Sequence, residues 1–558
     1  MPDSTFRLHA VRCVTCCRKC RFAFDPFLLV CDFSERPFSR ECCVSTFGGT
    51  RLSGPLPYLG LSIAVPRARQ ACPLSVRMEV PDQTFFSLNR FVMDIPKPNP
   101  EKCFAYHETL KAWCRAQALA AAGLERSEPG IIGNELQVQK TPSVQFHEGG
   151  THFNDALLFP RIGIIGAGLM GTSIAAWHLK KGCRVVITDS STSALHSVSD
   201  RLIDELREHG STDLSKIDTM LANVRIAGGF DDLADCDCIL ESIVEDIPAK
   251  RQLFSSLEHY VRPGAIILSN TSTIPIGRLA SGLKYPGRIC GLHFLHPVRC
   301  RDLVEVIPHP ATDTAVIGRV VKHAVGIEKL PVLVKDMPGF VVNRLLFPYL
   351  SEALELMAEG ISPEIIDRAA AEVGFDLGPV SIMDEIGLDT TWAAGRILWD
   401  AFPKRVTPSP ILVTMLKHKR LGRKAGRGFF NYSQPLTAGG GRPLDPETCK
   451  LIASWIGGAP ASEGRSIPMR LVLAMVFEAA LILSDGAADD PRTIDACAVF
   501  GLGFPRSLGG PLFWIRSVGL STLREIIESY CRPALAGEIL KAIENVAKRG
   551  LGHSPVLE

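Results

Sequence analysis

From Phe159 onward the chain alternates short apolar runs with stretches of helical period. The runs lie at Ile162–Ile165, Val185–Ile187, Val224–Ala227, Cys238–Val244, Ala265–Ser269 and Arg288–Phe294. Each is of strand length and is bounded by turn residues. Strands alternating with helices predict a parallel sheet with crossover helices. Leu303–Ile307 and Val332–Val334 add two later strands. The texture changes near Lys335–Phe340, and the chain beyond it is mostly helical, beginning with Val341–Ala358. Residues before about 158 show poor periodicity, with Pro, Cys and Arg scattered through them.

The helical part repeats itself. Arg344, Glu352 and Gly360 recur 126 positions later as Arg470, Glu478 and Gly486. Gly378-Pro379 and Gly387-Leu388 recur 132 positions later as Gly510-Pro511 and Gly519-Leu520. Two similar all-α modules are therefore expected after the α/β domain. The Gly- and Pro-rich Thr437–Pro446 reads as a linker between them. The expected organisation is an irregular, Cys-containing extension over 1–157, a Rossmann-type domain over 158–336 and a first helical domain over 337–433. A linker over 434–464 and a second helical repeat over 465–552 complete it.

Length and composition bound the class. At 558 residues the chain predicts roughly three to four domains. A net charge of +2 implies no strong pull toward nucleic acid or membrane. No apolar run is expected to reach the roughly 18 residues of a membrane span, and the N-terminus lacks a signal-peptide core. Of 18 cysteines, 10 precede residue 151 and the rest are scattered singly, as in a reducing compartment, so the cytoplasm is expected. Cys13-x-x-Cys16-Cys17-x-x-Cys20 has the spacing of half a zinc site, which Cys42 and Cys43 could complete. An irregular extension binding no metal is the simpler reading.

The chemistry begins at Gly166-Ala167-Gly168-Leu169-Met170-Gly171, which joins the first strand to a helix. Gly166 permits a tight turn, Gly168 lets the backbone approach a pyrophosphate, and Gly171 lets helix and strand pack closely. Asp189, ending the second strand, can accept ribose hydroxyls and would repel a 2′-phosphate, so NAD is expected rather than NADP. Oxidising an alcohol onto NAD also needs a base for the hydroxyl proton and donors for the developing carbonyl oxygen. His293 ends a strand where ligands of open α/β sheets sit, and Glu305 on the next strand can return to its imidazole.

These blocks carry a resemblance. Ser269–Ser272 (SNTS), Gly291–Pro297 (GLHF-x-x-P), Leu303–Ile307 (LVEVI), Pro338–Leu346 (PGFVVNRLL), Gly387–Thr390 (GLDT) and Gly422–Tyr432 (GRKAGRGFFNY) resemble the L-3-hydroxyacyl-CoA dehydrogenase family. The duplicated helical part looks like the dehydrogenase half of the bacterial fatty-acid oxidation multifunctional α-subunit. The resemblance implies reversible, NAD-dependent oxidation of an L-3-hydroxyacyl-CoA in fatty-acid β-oxidation. It makes His293 the general base and Glu305 its partner, and Ser272 and Asn343 the residues holding the substrate oxygen. Ser272, Glu245, Lys250 and His296 become cofactor contacts, with Lys424 reaching the cofactor from the helical domain. An acyl-CoA is the implied substrate, and a homo-oligomer or a thiolase is the implied kind of partner. A short-chain 3-hydroxybutyryl-CoA dehydrogenase and a non-catalytic NAD-binding subunit are the alternatives.

Two departures stand out. The family usually has Asn where this chain has His296. Its CoA-binding helix is basic, whereas Asp200–Gly210 reads DRLIDELREHG, offering only Arg201 and Arg207. The second repeat carries Met469 where the first has Asn343, so it is expected to be structural. No glycine-rich oxyanion pattern of a hydratase is found before residue 158, and no hydratase activity is expected.

Overall fold

The computed structural model describes residues 23–25, 28–30, 95–123, 158–208, 210, 213–406, 408–436, 441–456, 466–530 and 533–548. The chain divides into two units, Met1–Arg90 and Phe91–Glu558. In the first, Ala23–Asp25 pairs antiparallel with Leu28–Val30. The candidate zinc cysteines Cys13, Cys16, Cys17, Cys20, Cys42 and Cys43 lie outside the described residues.

The second unit is built on an eight-stranded sheet. Its strands are β1 (Arg161–Ile165), β2 (Arg184–Thr188), β3 (Val224–Ile226), β4 (Cys238–Glu241), β5 (Ile266–Ser269), β6 (Ile289–Phe294), β7 (Leu303–Ile307) and β8 (Leu330–Leu333). The order across the sheet is β8-β7-β6-β5-β4-β1-β2-β3. The order reverses between β1 and β4, and open sheets bind ligands beyond the strand ends at such a switch point. β1, β4, β5, β6 and β7 are buried along almost their whole length, as strands covered on both faces must be.

The expectation of an all-parallel sheet is corrected at one pair. β7 runs antiparallel to β6, with His293 opposite Glu305 in the register. The physical reason is the connection: Leu295–Asp302 is too short for a crossover, which needs a dozen or more residues. β8 returns parallel to β7 after a full helix, Thr314–Gly326.

The extension is corrected too. Pro100–Ala121 forms a 22-residue helix, here α1, started by Pro100 and by Asn99, whose side chain accepts the Glu101 N–H at 2.8 Å. Cys103, Tyr106, Leu110, Cys114 and Ala118 are buried on one face at helical spacing. α1 packs on Thr314–Gly326 and β8 of the nucleotide domain, and on Pro491–Ala496 and Arg506–Leu508 of the C-terminal helices. Tyr106 Oη donates to Asp495 Oδ2 at 2.7 Å, and Trp514 Nε1 donates to the Pro96 carbonyl at 2.8 Å. The 434–464 segment is likewise more than a tether. Pro446–Ala453 is a helix, and Arg420 reaches Asp445 at 2.8 Å and Glu447 at 2.5 Å just before and within it.

Two long helices form the centre of the helical part, α2 (Val342–Ala358) and α3 (Ile467–Asp485). They exchange ion pairs reciprocally. Arg344 on α2 meets Glu478 at 2.5 Å and Asp485 at 2.7 Å, while Arg470 on α3 meets Glu352 at 2.5 Å and Glu359 at 2.6 Å. A second correspondence lies at the helix starts after each Gly-Pro. Asp367 accepts the N–H groups of Val380 and Ser381, and Asp495 those of Leu512 and Phe513. The expectation about apolar runs is corrected at α3. Despite the interruptions at Arg470 and Glu478, this helix is long and apolar enough to cross a membrane by length and composition. Here 72% of its apolar window is buried inside the protein.

Candidate active site

The site starts at the turn after β1. Gly166 has φ +105°, and a Cβ there would sit 2.3 Å from the Ser242 carbonyl oxygen. A Cβ on Gly171 would sit 1.8 Å from the Gly166 oxygen, so only glycine lets this helix close on its strand. Gly168 has nothing within 4 Å of its Cβ position, leaving an open approach to the backbone. The helix after the turn, Leu169–Lys180, has no side-chain cap on its N-terminus, and its free N–H groups suit a phosphate. Asp189 stands beside the turn: its Oδ2 accepts the Ala167 N–H and its Oδ1 the Ser191 N–H, both at 2.7 Å. An open cradle, an uncapped helix and a carboxylate in reach are what a dinucleotide requires. Asp189→Ala is expected to narrow the preference for NAD over NADP, read as the ratio of the two cofactors' kcat/KM. Equal use of both cofactors by the unaltered protein would overturn this reading of Asp189.

His293 is the penultimate residue of β6, 4% exposed, and its Nδ1 lies 2.7 Å from Glu305 Oε2. An ionised carboxylate only accepts, so Nδ1 carries the proton and Nε2 keeps its lone pair. Glu305 is fully buried, and its other oxygen accepts the N–H groups of Val341 and Val342 at 3.0 Å each. That pair opens α2. One carboxylate thus holds the imidazole tautomer and caps the first helix of the helical domain. The Phe340 ring lies 6.1 Å from the imidazole, centroid to centroid, and Asn270 Oδ1 accepts the Phe294 N–H at 2.7 Å, fixing the strand end.

Asn343, in the first turn of α2, donates from Nδ2 to the Ser272 carbonyl at 2.9 Å. Ser272 lies in a loop organised by Glu245. Oε1 of Glu245 accepts from the Ser272 and Thr273 N–H groups at 3.0 Å each, and from the Thr271 and Thr273 hydroxyls at 2.7 and 2.9 Å. Burial would raise the Glu245 carboxyl, but Lys250 and these donors outweigh it and hold it below the ordinary range. Lys250 is 1% exposed and lies 2.5 Å from Glu241 and 3.3 Å from Glu245. Burial alone would lower its ammonium, yet the two carboxylates raise it. Glu245 and Lys250 are therefore not a solvated surface pair. Lys250 lends charge from inside the fold and offers no exposed donor to a cofactor.

Two further residues were expected at the cofactor. His296 lies just past the strand end, and its Nδ1 is buried with no partner among the described residues. Burial holds its imidazole below the ordinary histidine range, with Glu385 and Glu205 pulling upward and Arg299 and Arg423 reinforcing the drop. Lys424 lies on the helical domain, half-exposed, 2.5 Å from Asp389. Of the sparse basic residues on Val198–Glu208, Arg201 turns back to the Ala194 carbonyl at 2.7 Å, while Arg207 stays exposed beside Asp204.

Sequence reasoning missed Glu241, Asn270 and Phe340. Glu241 is fully buried and accepts from Lys250, Ser269 and the Ile243 N–H. A lone Glu ending an apolar strand was the available signal. Phe340 takes φ +48°, a conformation that side chains rarely adopt, visible beforehand only as the residue after Gly339.

Residues 161–337 match the family model described as 3-hydroxyacyl-CoA dehydrogenase, NAD binding domain, and residues 339–432 match 3-hydroxyacyl-CoA dehydrogenase, C-terminal domain. Among solved structures, the dehydrogenase part of multifunctional enzyme 1 from C. elegans is 25% identical, over 79% of this chain and 97% of that one, with a TM-score of 0.51. A 3-hydroxybutyryl-CoA dehydrogenase from Escherichia coli K12 is 24% identical over 70% of this chain and 98% of that one, with a TM-score of 0.56. The (S)-3-hydroxybutyryl-CoA dehydrogenase of Ralstonia eutropha is 33% identical over 50% of this chain and 100% of that one, with a TM-score of 0.45.

Proposed function

This chain belongs to the 3-hydroxyacyl-CoA dehydrogenase family of NAD-dependent oxidoreductases, and on that premise we propose that it oxidises an L-3-hydroxyacyl-CoA to the 3-oxoacyl-CoA in fatty-acid β-oxidation. The observation that carries the reading is the buried His293–Glu305 pair at 2.7 Å, at the same end of the sheet as a glycine turn open to a dinucleotide. His293 Nε2 takes the proton of the C3 hydroxyl. Glu305 stabilises the imidazolium that results without itself becoming protonated. Asn343 and Ser272, tied to each other at 2.9 Å, hold the substrate oxygen near that imidazole. When bound, the dinucleotide supplies the acceptor for the electron pair leaving C3. The orphaned Nδ1 of His296 offers the nicotinamide amide a hydrogen-bond partner. Lys424 reaches the cofactor after exchanging its Asp389 partner.

The helices over 465–552 are a second copy of the first helical domain, serving structure. The reciprocal Arg344–Glu478 and Arg470–Glu352 pairs support this, as does Met469 at the place of Asn343. The test of the activity follows NADH at its absorbance maximum with L-3-hydroxybutyryl-CoA and longer homologues. Formation of NADH with any of them is expected. Stoichiometric NAD binding with no turnover would favour a non-catalytic subunit instead.

His296 adds a pH signature. Protonation would put a positive charge beside the cationic ring of NAD⁺, and burial confines that charge to pH below the ordinary histidine value of about 6.5. The Kd of NAD⁺ relative to NADH is expected to be flat above that value and to rise as pH falls below it. His296→Asn is expected to flatten the rise. Coincident ratios for both proteins from pH 4.5 to 8 would rule the effect out.

A further inference from the structure

We infer that the second helical repeat positions the His293–Glu305 pair, through Gly501 on a π-helical turn that the first repeat does not have. This rests on the activity proposed above, and it gives the second copy a task beyond packing.

The turn arises from one extra residue. Pro363-x-x-Ile366-Asp367 in the first repeat corresponds to Pro491-x-x-Ile494-Asp495 in the second, and Gly374-Phe375 corresponds to Gly503-Phe504. Both ends match in geometry as well. Each Asp accepts the N–H groups of the helix after its Gly-Pro, and Gly374 and Gly503 both have positive φ, +102° and +71°. Between Asp and Gly the second repeat holds seven residues, 496–502, where the first holds six, 368–373. In the first repeat they complete an α-helix, Pro363–Val373. In the second they form the π-helical turn Cys497–Gly501. A π turn spans one residue more per hydrogen bond than an α turn, so it absorbs the insertion, and such turns are frequent at functional sites.

The turn meets the pair from behind. A Cβ on Gly501 would lie 3.0 Å from Leu295 Cδ1, 3.4 Å from Val342 Cγ2 and 3.7 Å from Leu303 Cδ2. Those side chains belong to the three segments that carry the pair. Leu295 is two residues past His293. Leu303 is two residues before Glu305 in β7, so both point to one face of the sheet. The Val342 N–H is one of the two that Glu305 accepts. All three side chains are buried, and a close-packed interior passes a displacement on to its neighbours. Cys497, at the start of the turn, faces the pair too. Burial pushes its thiol up, and the charge of Glu305 adds to that push. The same repeat braces the loop between β6 and β7. The Gly503 carbonyl accepts the Asp376 N–H at 3.2 Å, and Asp376 Oδ2 accepts from Arg301 on that loop at 3.0 Å. Gly501 is thus a positioning residue. Its missing side chain sets how closely the repeat approaches the backs of His293 and Glu305.

Gly501→Val wedges a side chain into this contact at a residue that touches neither substrate nor cofactor. It is expected to lower kcat by about 10- to 100-fold, the cost of displacing reacting groups by up to about 1 Å. KM and the Kd of NADH are expected to stay within about twofold, because binding surfaces are unchanged. Gly501→Ala asks its neighbours to give by only a few tenths of an ångström, and it is expected to lose less. It carries the same comparison if Gly501→Val does not fold. Adding Leu295→Ala removes the nearest obstacle, so the double variant is expected to regain kcat over the Gly501 variant alone. Ile543→Ala, in the last helix of the same repeat, opens a cavity instead. It is expected to lower the melting temperature and leave kcat unchanged. NMR of protein carrying ¹⁵N-labelled histidine adds a reading that needs no turnover. The resonance of the proton between His293 Nδ1 and Glu305 is expected to move in the Gly501 variants and to return in the double variant. An unmoved resonance with kcat within about twofold of the unaltered protein would overturn the positioning role, as would an equal fall in kcat in Ile543→Ala. Absence of turnover by the unaltered protein with every 3-hydroxyacyl thioester would overturn the activity instead, and the resonance would then decide the positioning by itself.

Discussion

His293→Gln is expected to lower kcat by about 10² to 10⁴, the range over which a positioned general base contributes. Glutamine keeps a polar side chain of similar reach but has no basic nitrogen for the hydroxyl proton. The Kd of NADH is expected to stay within about twofold, because the glycine turn and Asp189 are untouched. Glu305 supplies the reason the fold should survive. It keeps the Val341 and Val342 N–H donors, so its carboxylate is not left without partners when the imidazole goes. Single-turnover kinetics and a cofactor fluorescence titration together check the split. Near-normal turnover in the variant would remove His293 from the chemistry.

Removing residues 1–157 is expected to abolish soluble, cooperatively folding protein, contrary to what the unpatterned extension suggests from sequence. α1 buries Cys103, Tyr106, Leu110, Cys114 and Ala118, and its loss would uncover the apolar surfaces of β8 and the helix Thr314–Gly326. At about 1.5–3 kcal/mol for each large buried side chain, the loss is of the order of the whole stability of a typical domain. Two polar groups would be stranded as well. Asp495, fully buried and with its carboxyl pushed up to about 7 mainly by that burial, would lose the Tyr106 hydroxyl. Trp514 Nε1 would lose the Pro96 carbonyl. A chain beginning at Ile95 should keep both and melt as the full-length protein does. Thermal unfolding of the two truncations decides the matter: a chain beginning at Leu158 with an unchanged melting temperature would show that α1 is dispensable.

Much of the site was legible because its signals are local. Gly166, Gly168 and Gly171 each answer a backbone demand within a few residues, and Asp189 comes from the length of one βαβ unit. The Arg344 and Glu352 repeat was legible as spacing, since helices carry their partners at fixed intervals along the sequence. Strand position pointed to His293 and Glu305, and resemblance gave them their roles; resemblance alone singled out Asn343, because a lone Asn has no period.

Other features depend on which segments meet, which no local window contains. α1 has a weak pattern because it is wedged between two parts of the fold, so its buried face answers to neighbours more than 200 residues away. Lys250 reads as a surface lysine and is enclosed only because Glu241 and Glu245 converge on it from a strand end and a loop. The repeat announced two arginines but not that each would reach across to the other helix's glutamate. The antiparallel turn of β7 brings Glu305 opposite His293, and the same carboxylate then caps α2. Strands, helices and the dinucleotide turn can be read from the chain alone, because their periods and glycines act within a few residues. Which carboxylate meets which base emerges only on folding, because buried charges exist only once distant segments exclude water together.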